Sequence, residues 1–97
     1  MTGDTVAGDA RLIMLRELAQ QTDARSNEVV LDRVLDASGF RRSRDWLRTQ
    51  LRALAELEAV QVETVAGIMV VTLRRAGRDH VERRSVIEGV SRPADQD

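Results

Sequence analysis

Ser43-Arg44-Asp45-Trp46-Leu47-Arg48-Thr49-Gln50-Leu51-Arg52-Ala53-Leu54-Ala55-Glu56-Leu57-Glu58 is the stretch with the clearest periodicity in the chain. Leu47, Leu51, Leu54 and Ala55 recur at steps of four, three and one, which lines them up on one side of a helix. Arg44, Arg48 and Arg52 recur every four residues and form a ridge on another side. Ser43 suits an N-cap, because its hydroxyl oxygen can accept from an early backbone N–H. Asp45 then falls in the first turn, where a negative charge suits the helix dipole. Such a helix turns an apolar seam inward and a row of guanidinium groups outward, the pattern expected of a nucleic-acid recognition helix.

Upstream, Asn27 to Ser38 reads as a second helix. Ser26 is its expected cap, Glu28 lies in its first turn, and Val30, Leu31, Val34 and Leu35 form its buried stripe. Gly39 follows and fits a helix stop that requires positive φ. Phe40 to Arg42 is then a short link, read as a strand stub anchored by Phe40. Another helix is expected from Asp9, as N-cap, to Gln21, with Leu12, Leu15 and Ala19 in line and Leu18 and Ile13 widening the stripe.

Downstream, the period changes to two. Val60, Val62 and Thr64 alternate with Gln61, Glu63 and Val65, Ala66-Gly67 signals a turn, and the β-branched run Ile68 to Leu73 returns. The tip, Thr64 to Gly67, has no basic residue. Arg74 to about Ile87 can be helical again, broken or bent at Gly77, before Gly89 and Pro93 mark a tail. The expected organisation is a flexible leader at 1–8, one domain over 9–87 and a flexible tail at 88–97. Three helices, a β-hairpin and a short helix make an α+β winged helix-turn-helix.

Bulk properties narrow the function. A chain of 97 residues is sized for one domain. Phe40 and Trp46 are its only aromatics, so the core must be aliphatic. Cysteine is absent, which removes disulfide and thiol chemistry. No apolar run reaches membrane-span length, and the acidic start lacks the pattern of a signal peptide, so a cytoplasmic protein is expected. The net charge of -1 does not look like that of a strongly basic binder, but the charge is unevenly distributed. Residues 39–52 hold five Arg and one acid, and residues 74–84 hold five Arg and two acids. Every basic residue apart from His80 is Arg, a side chain suited to bidentate contact with phosphate or guanine.

Catalytic chemistry has little support. His80 is the only histidine and is read as a surface residue, since metal sites and triads need several convergent groups. Asp32 and Asp36, four apart on one helix face, are read as a solvated face rather than a cation site. There is no Gly-rich phosphate loop. Neither an enzyme nor a metal or other cofactor is expected. The residues expected to meet double-stranded DNA are Arg41, Arg42, Ser43, Arg44, Arg48, Thr49 and Arg52, with Arg supplying phosphate contacts and one or two base-edge contacts supplying specificity. Gln50 would read adenine if it faced outward. The plainer reading of the ridge is a solvated helix carrying i,i+4 ion pairs, such as Arg52 with Glu56. Trp46 sits at the edge of the apolar seam, in packing or in a partner contact. Arg74, Arg75 and Arg78 are read as solvated. A homodimer is expected because operators read by such modules are commonly two-fold, with the first helix and residues 74–87 as its seam. The alternative is a winged helix that binds protein in an assembly or replication complex.

The run Gly39-Phe40-Arg41-Arg42-Ser43-Arg44-Asp45, followed by Leu47-Arg48-Thr49-Gln50-Leu51 and Leu54, resembles small winged-helix proteins of Mu-like transposable phages and prophages. The likeness extends to Val60-Gln61-Val62-Glu63, Val65-Ala66-Gly67, Val71-Thr72-Leu73, Gly77 to His80 and Gly89-Val90-Ser91-Arg92-Pro93, covering about residues 10–93. It implies the winged-helix fold. Those proteins are often described as similar to ArsR-type repressors, whose metal sensing needs Cys or His ligands that this chain lacks. Trp46 and Glu58 depart from the pattern, which leads one to expect a smaller polar residue and Gly there.

Overall fold

The computed structural model describes residues 5–94. Its elements are α1 (Thr5–Gln20), β1 (Arg25–Asn27), α2 (Glu28–Ala37), α3 (Arg44–Glu56), β2 (Val60–Val65), β3 (Ile68–Leu73) and α4 (Arg75–Val81). The strands form an antiparallel sheet in the order β1-β3-β2. This is the α+β winged-helix arrangement expected from the periodicities.

Leucine packing holds it together. Leu12, Leu15 and Leu18 of α1 meet Leu31 and Leu35 of α2, Leu47, Leu51 and Leu54 of α3, and Val60, Met69, Val71 and Leu73 of the sheet in one core. Phe40 and Trp46 pack against its edge, half-buried. In β3, Met69, Val71 and Leu73 face inward, whereas β2 buries only Val60 fully. The outer half of the hairpin, 63–67, is therefore exposed and projects as the wing. Its two-residue turn has positive φ at both Ala66 (52°) and Gly67 (80°), the type I′ geometry that matches the twist of a tight hairpin.

Three helices end in the same way. At α2, Gly39 (φ 95°) lets Phe40 N–H donate to Leu35 O (2.8 Å) and Gly39 N–H to Asp36 O (3.0 Å), a Schellman stop. The strand stub expected at Phe40 to Arg42 does not form, because Phe40 N–H is committed to this stop. At α3, Ala59 N–H donates to Leu54 O (2.9 Å) and Glu58 N–H to Ala55 O (2.9 Å), with Glu58 at φ 62°. At α4, Arg84 N–H donates to Asp79 O (2.7 Å) and Arg83 N–H to His80 O (3.1 Å), with Arg83 at φ 65°. The last two stops use residues with a Cβ where glycine is usual.

Several expected boundaries move. α1 begins at Thr5, so residues 5–8 of the expected leader are helical; residues 1–4 lie outside the described residues. Asp9 is inside α1 and does not cap it; its carboxylate accepts from Ser91 Oγ. Asn27, not Ser26, caps α2: its Oδ1 accepts from Val29 N–H (2.9 Å) and Val30 N–H (3.1 Å). Ser26 instead pairs with Val71 in β1, a strand absent from the sequence reading. α4 stops at Val81, and Gly77 does not break it. Gly77 is buried where α4 crosses the start of β2, and a methyl there would run into the Ala59 carbonyl oxygen and lie 2.8 Å from Leu73 Cδ1.

The expected tail docks at its start. Val90 is buried, Ser91 N–H donates to Gly8 O (3.1 Å), and Arg11 Nη1 donates to Gly89 O (3.0 Å). Residues 95–97 lie outside the described residues. His80, read as a surface residue, is buried beneath this segment. Ile87 N–H donates to its Nδ1 (3.0 Å), which makes Nε2 the protonated nitrogen donating to Ser91 O (2.8 Å). No helix of the described residues is long and apolar enough to cross a membrane.

Candidate nucleic-acid interface

The N-terminus of α3 is built as its residues dictate. Ser43 Oγ accepts from Trp46 N–H (3.0 Å) and Asp45 occupies the first turn. Leu47, Leu51 and Leu54 turn inward, while Arg44, Asp45, Thr49, Arg52 and Glu56 are exposed. Thr49 Oγ1 donates back to Asp45 O (3.0 Å), which leaves its oxygen lone pairs facing solvent. Gln50 is on the inner side: it is buried, and its Oε1 accepts from Arg11 Nε (2.9 Å). The adenine-reading role considered for Gln50 is therefore ruled out by the direction of its side chain.

The arginine ridge is largely paired. Residues 28, 32 and 36 of α2 are four apart and share a face, and each meets an arginine on or just before α3. Arg48 grips Glu28 with both arms, Nε to Oε1 and Nη2 to Oε2, each at 2.7 Å. Arg44 lies 3.5 Å from Asp32 and 3.7 Å from Glu28. Arg41 Nε is 2.9 Å from Asp36. These three rungs differ in burial: the acid side chain is 0% exposed at Glu28, 38% at Asp32 and 56% at Asp36.

The inner rung is structural. Glu28 Oε2 also accepts from Met69 N–H (2.8 Å), and Arg48 Nη2 donates to Gly67 O (3.1 Å). One carboxylate and one guanidinium thus tie α2, α3 and the hairpin turn together. The Arg48 hydrogen bonds lower the pKa of Glu28 from 4.5 to about 2 and, with the Met69 N–H bond and the nearby Arg44 charge, prevail over burial, which acts in the opposite direction. The same pairing raises the pKa of Arg48. The expectation that Arg48 projects as a free contact is corrected accordingly, since its charge is already spent on a buried acid. Its position in the sequence marks Glu28 only as a first-turn acid. The available signal was its place at i, i+3, i+7 with Leu31 and Leu35, both on the buried stripe.

The remaining candidates stay accessible. Arg42 lies 5.3 Å from the centroid of the Trp46 ring, a cation–π contact at the head of α3. Arg52 is exposed and makes no ion pair among the described residues, so the expected Arg52–Glu56 pair does not form. The wing tip, Thr64 to Gly67, is exposed and carries no cation.

The chain is 42% identical over 93 residues to a protein of Escherichia phage Mu described as "Uncharacterized protein gp26", an alignment covering 96% of each chain. No family model matches the sequence, and no solved structure matches it.

Proposed function

The chain belongs to the family of the phage Mu protein gp26, and from that premise we propose that it is a DNA-binding winged-helix protein, a phage or prophage transcriptional regulator acting in the bacterial cytoplasm with α3 in the major groove. The observation that carries this reading is the presentation of α3. Its exposed face and the hairpin are held as one unit by the Glu28–Arg48–Gly67 tie, with Arg41, Arg42, Arg44, Thr49 and Arg52 on the solvent side. The pairs of Arg41 and Arg44 are exposed, and such pairs contribute only about 0–1 kcal/mol each, so a phosphate can replace the aspartate. Arg48 is different, because withdrawing it strands a buried carboxylate at a cost of about 3–5 kcal/mol. The contact set is therefore Arg41, Arg42, Ser43, Arg44, Thr49 and Arg52, with Arg48 as a positioning residue. A homodimer reading a two-fold site completes the proposal, and sedimentation velocity checks it.

The second reading is a protein-interaction module of a phage assembly or replication complex. It draws on the same ladder, in which three arginines face three acids, and on a wing tip without a cation. Binding of purified protein to a random-duplex library, followed by anisotropy against salt, separates the two. Arg42 and Arg52, which make no ion pair among the described residues, together with Arg41 and Arg44, which must first leave their aspartates, predict a slope of log K against log salt of about −2 to −3 per protomer, and Arg52→Ala makes it shallower by about 0.9. No duplex retention at low salt would leave the protein-binding module.

A further inference from the structure

We propose that Asp32 and Asp36 hold the DNA-facing arginines in the free protein and so suppress adhesion to arbitrary duplex. This rests on the reading that α3 meets DNA. The two acids follow Glu28 at steps of four, and the three rungs are graded outward. Glu28 is fully buried and gripped at 2.7 Å, Asp32 is 3.5 Å from Arg44, and Asp36 is 2.9 Å from Arg41 with both partners largely in solvent. The inner rung cannot exchange without stranding a buried charge, whereas the outer two can be replaced by a phosphate oxygen of the same charge.

The exchange has two opposing parts. A phosphate that takes Arg44 or Arg41 must first break an existing pair, and it then lies close to the displaced carboxylate, whose like charge repels it. Every duplex meets both effects, whatever its sequence. The penalty is common to all duplexes and leaves the ratio between specific and random sites unchanged, but it weakens sequence-independent binding, and a duplex that also makes base-edge contacts with the exposed residues of α3 offsets it. The pairing of Asp32 and Asp36, which as a sequence motif reads as a solvated face, thereby acquires a function: each acid lies opposite an arginine of the same proposed interface.

The test compares wild type, Asp32→Asn/Asp36→Asn and a control, Glu17→Gln/Glu88→Gln, which makes the same charge change outside α2. Binding of a labelled random-sequence duplex is read by anisotropy over a salt series, and urea midpoints check that all three proteins fold alike. The expected result is affinity about tenfold higher for the Asn pair at about 50 mM salt, with a slope steeper by about 1–2 and no such change in the control. Equal binding by wild type and the Asn pair overturns the proposal and leaves the DNA reading standing, as does an equal gain in the control. No binding by any of the three, at any salt, removes the DNA reading itself and the proposal with it.

Discussion

Replacing Arg48 with Ala should damage the fold before it affects any ligand. Glu28 has no exposed surface, and two of the three hydrogen bonds to its carboxylate come from Arg48 at 2.7 Å. A folded-state pKa of about 2 against 4.5 amounts to about 3 kcal/mol of stabilisation of the charged form, at 1.36 kcal/mol per unit. Breaking a buried pair from one side costs about 3–5 kcal/mol. Arg44, already 3.7 Å from Glu28, can move in and keep the loss near the lower end, so the expected cost at pH 7 is about 3 kcal/mol. That is a large share of the roughly 5–15 kcal/mol typical of a domain. Urea unfolding followed by Trp46 fluorescence measures it. The pH dependence has a fixed sign. A depressed carboxylate pKa contributes stability that is complete above about 4.5 and is lost as pH falls through about 2, so wild type and Arg48→Ala should converge across that window. Glu28→Gln/Arg48→Met keeps an acceptor for Met69 N–H while removing both charges, and should recover about half or more of the loss. A cost for Arg48→Ala below about 1 kcal/mol, with no convergence in acid, would mean that the pair is solvated and that the wing is not held through it.

Gly77→Ala should destabilise by about 2 kcal/mol or more, read as a fall in melting temperature, because its methyl meets the backbone carbonyl of Ala59 rather than a side chain that can turn away. Glu58→Gly should raise stability by about 0.5–1 kcal/mol in urea, since the relief of a left-handed backbone at φ 62° exceeds the entropy lost to a more flexible unfolded chain. His80→Ala should cost about 2–4 kcal/mol, and amide exchange at Ile87 should accelerate while the β3 amides remain protected, because the acceptor for Ile87 N–H and the donor to Ser91 O are both lost. Arg52→Ala should leave the urea midpoint unchanged, as an exposed side chain without an ion pair among the described residues contributes little to folding.

Local regularity made the larger elements readable before any coordinates. The leucine stripe of α3, the alternation in the hairpin, the Ser43 cap and the Gly39 stop each depend on residues a few positions apart, so spacing alone places them. β1 has no such pattern: Arg25-Ser26-Asn27 is polar, and it is a strand only because β3 offers it an edge. The stops at Glu58 and Arg83 were hidden for a related reason, since packing holds a left-handed backbone there that residue type would have placed at glycine. The same holds for the chemistry. Periodicity located the arginines and the acids correctly on their helices, but which arginine is free and which is bound depends on the distance between α2 and α3, a quantity set by the shared core. Glu28 and Arg48 are twenty residues apart and Glu28 and Met69 forty-one, and no propensity links positions so far apart. A side chain's charge is written in the chain, but whether that charge faces water or a buried partner is settled only when the helices close on one another.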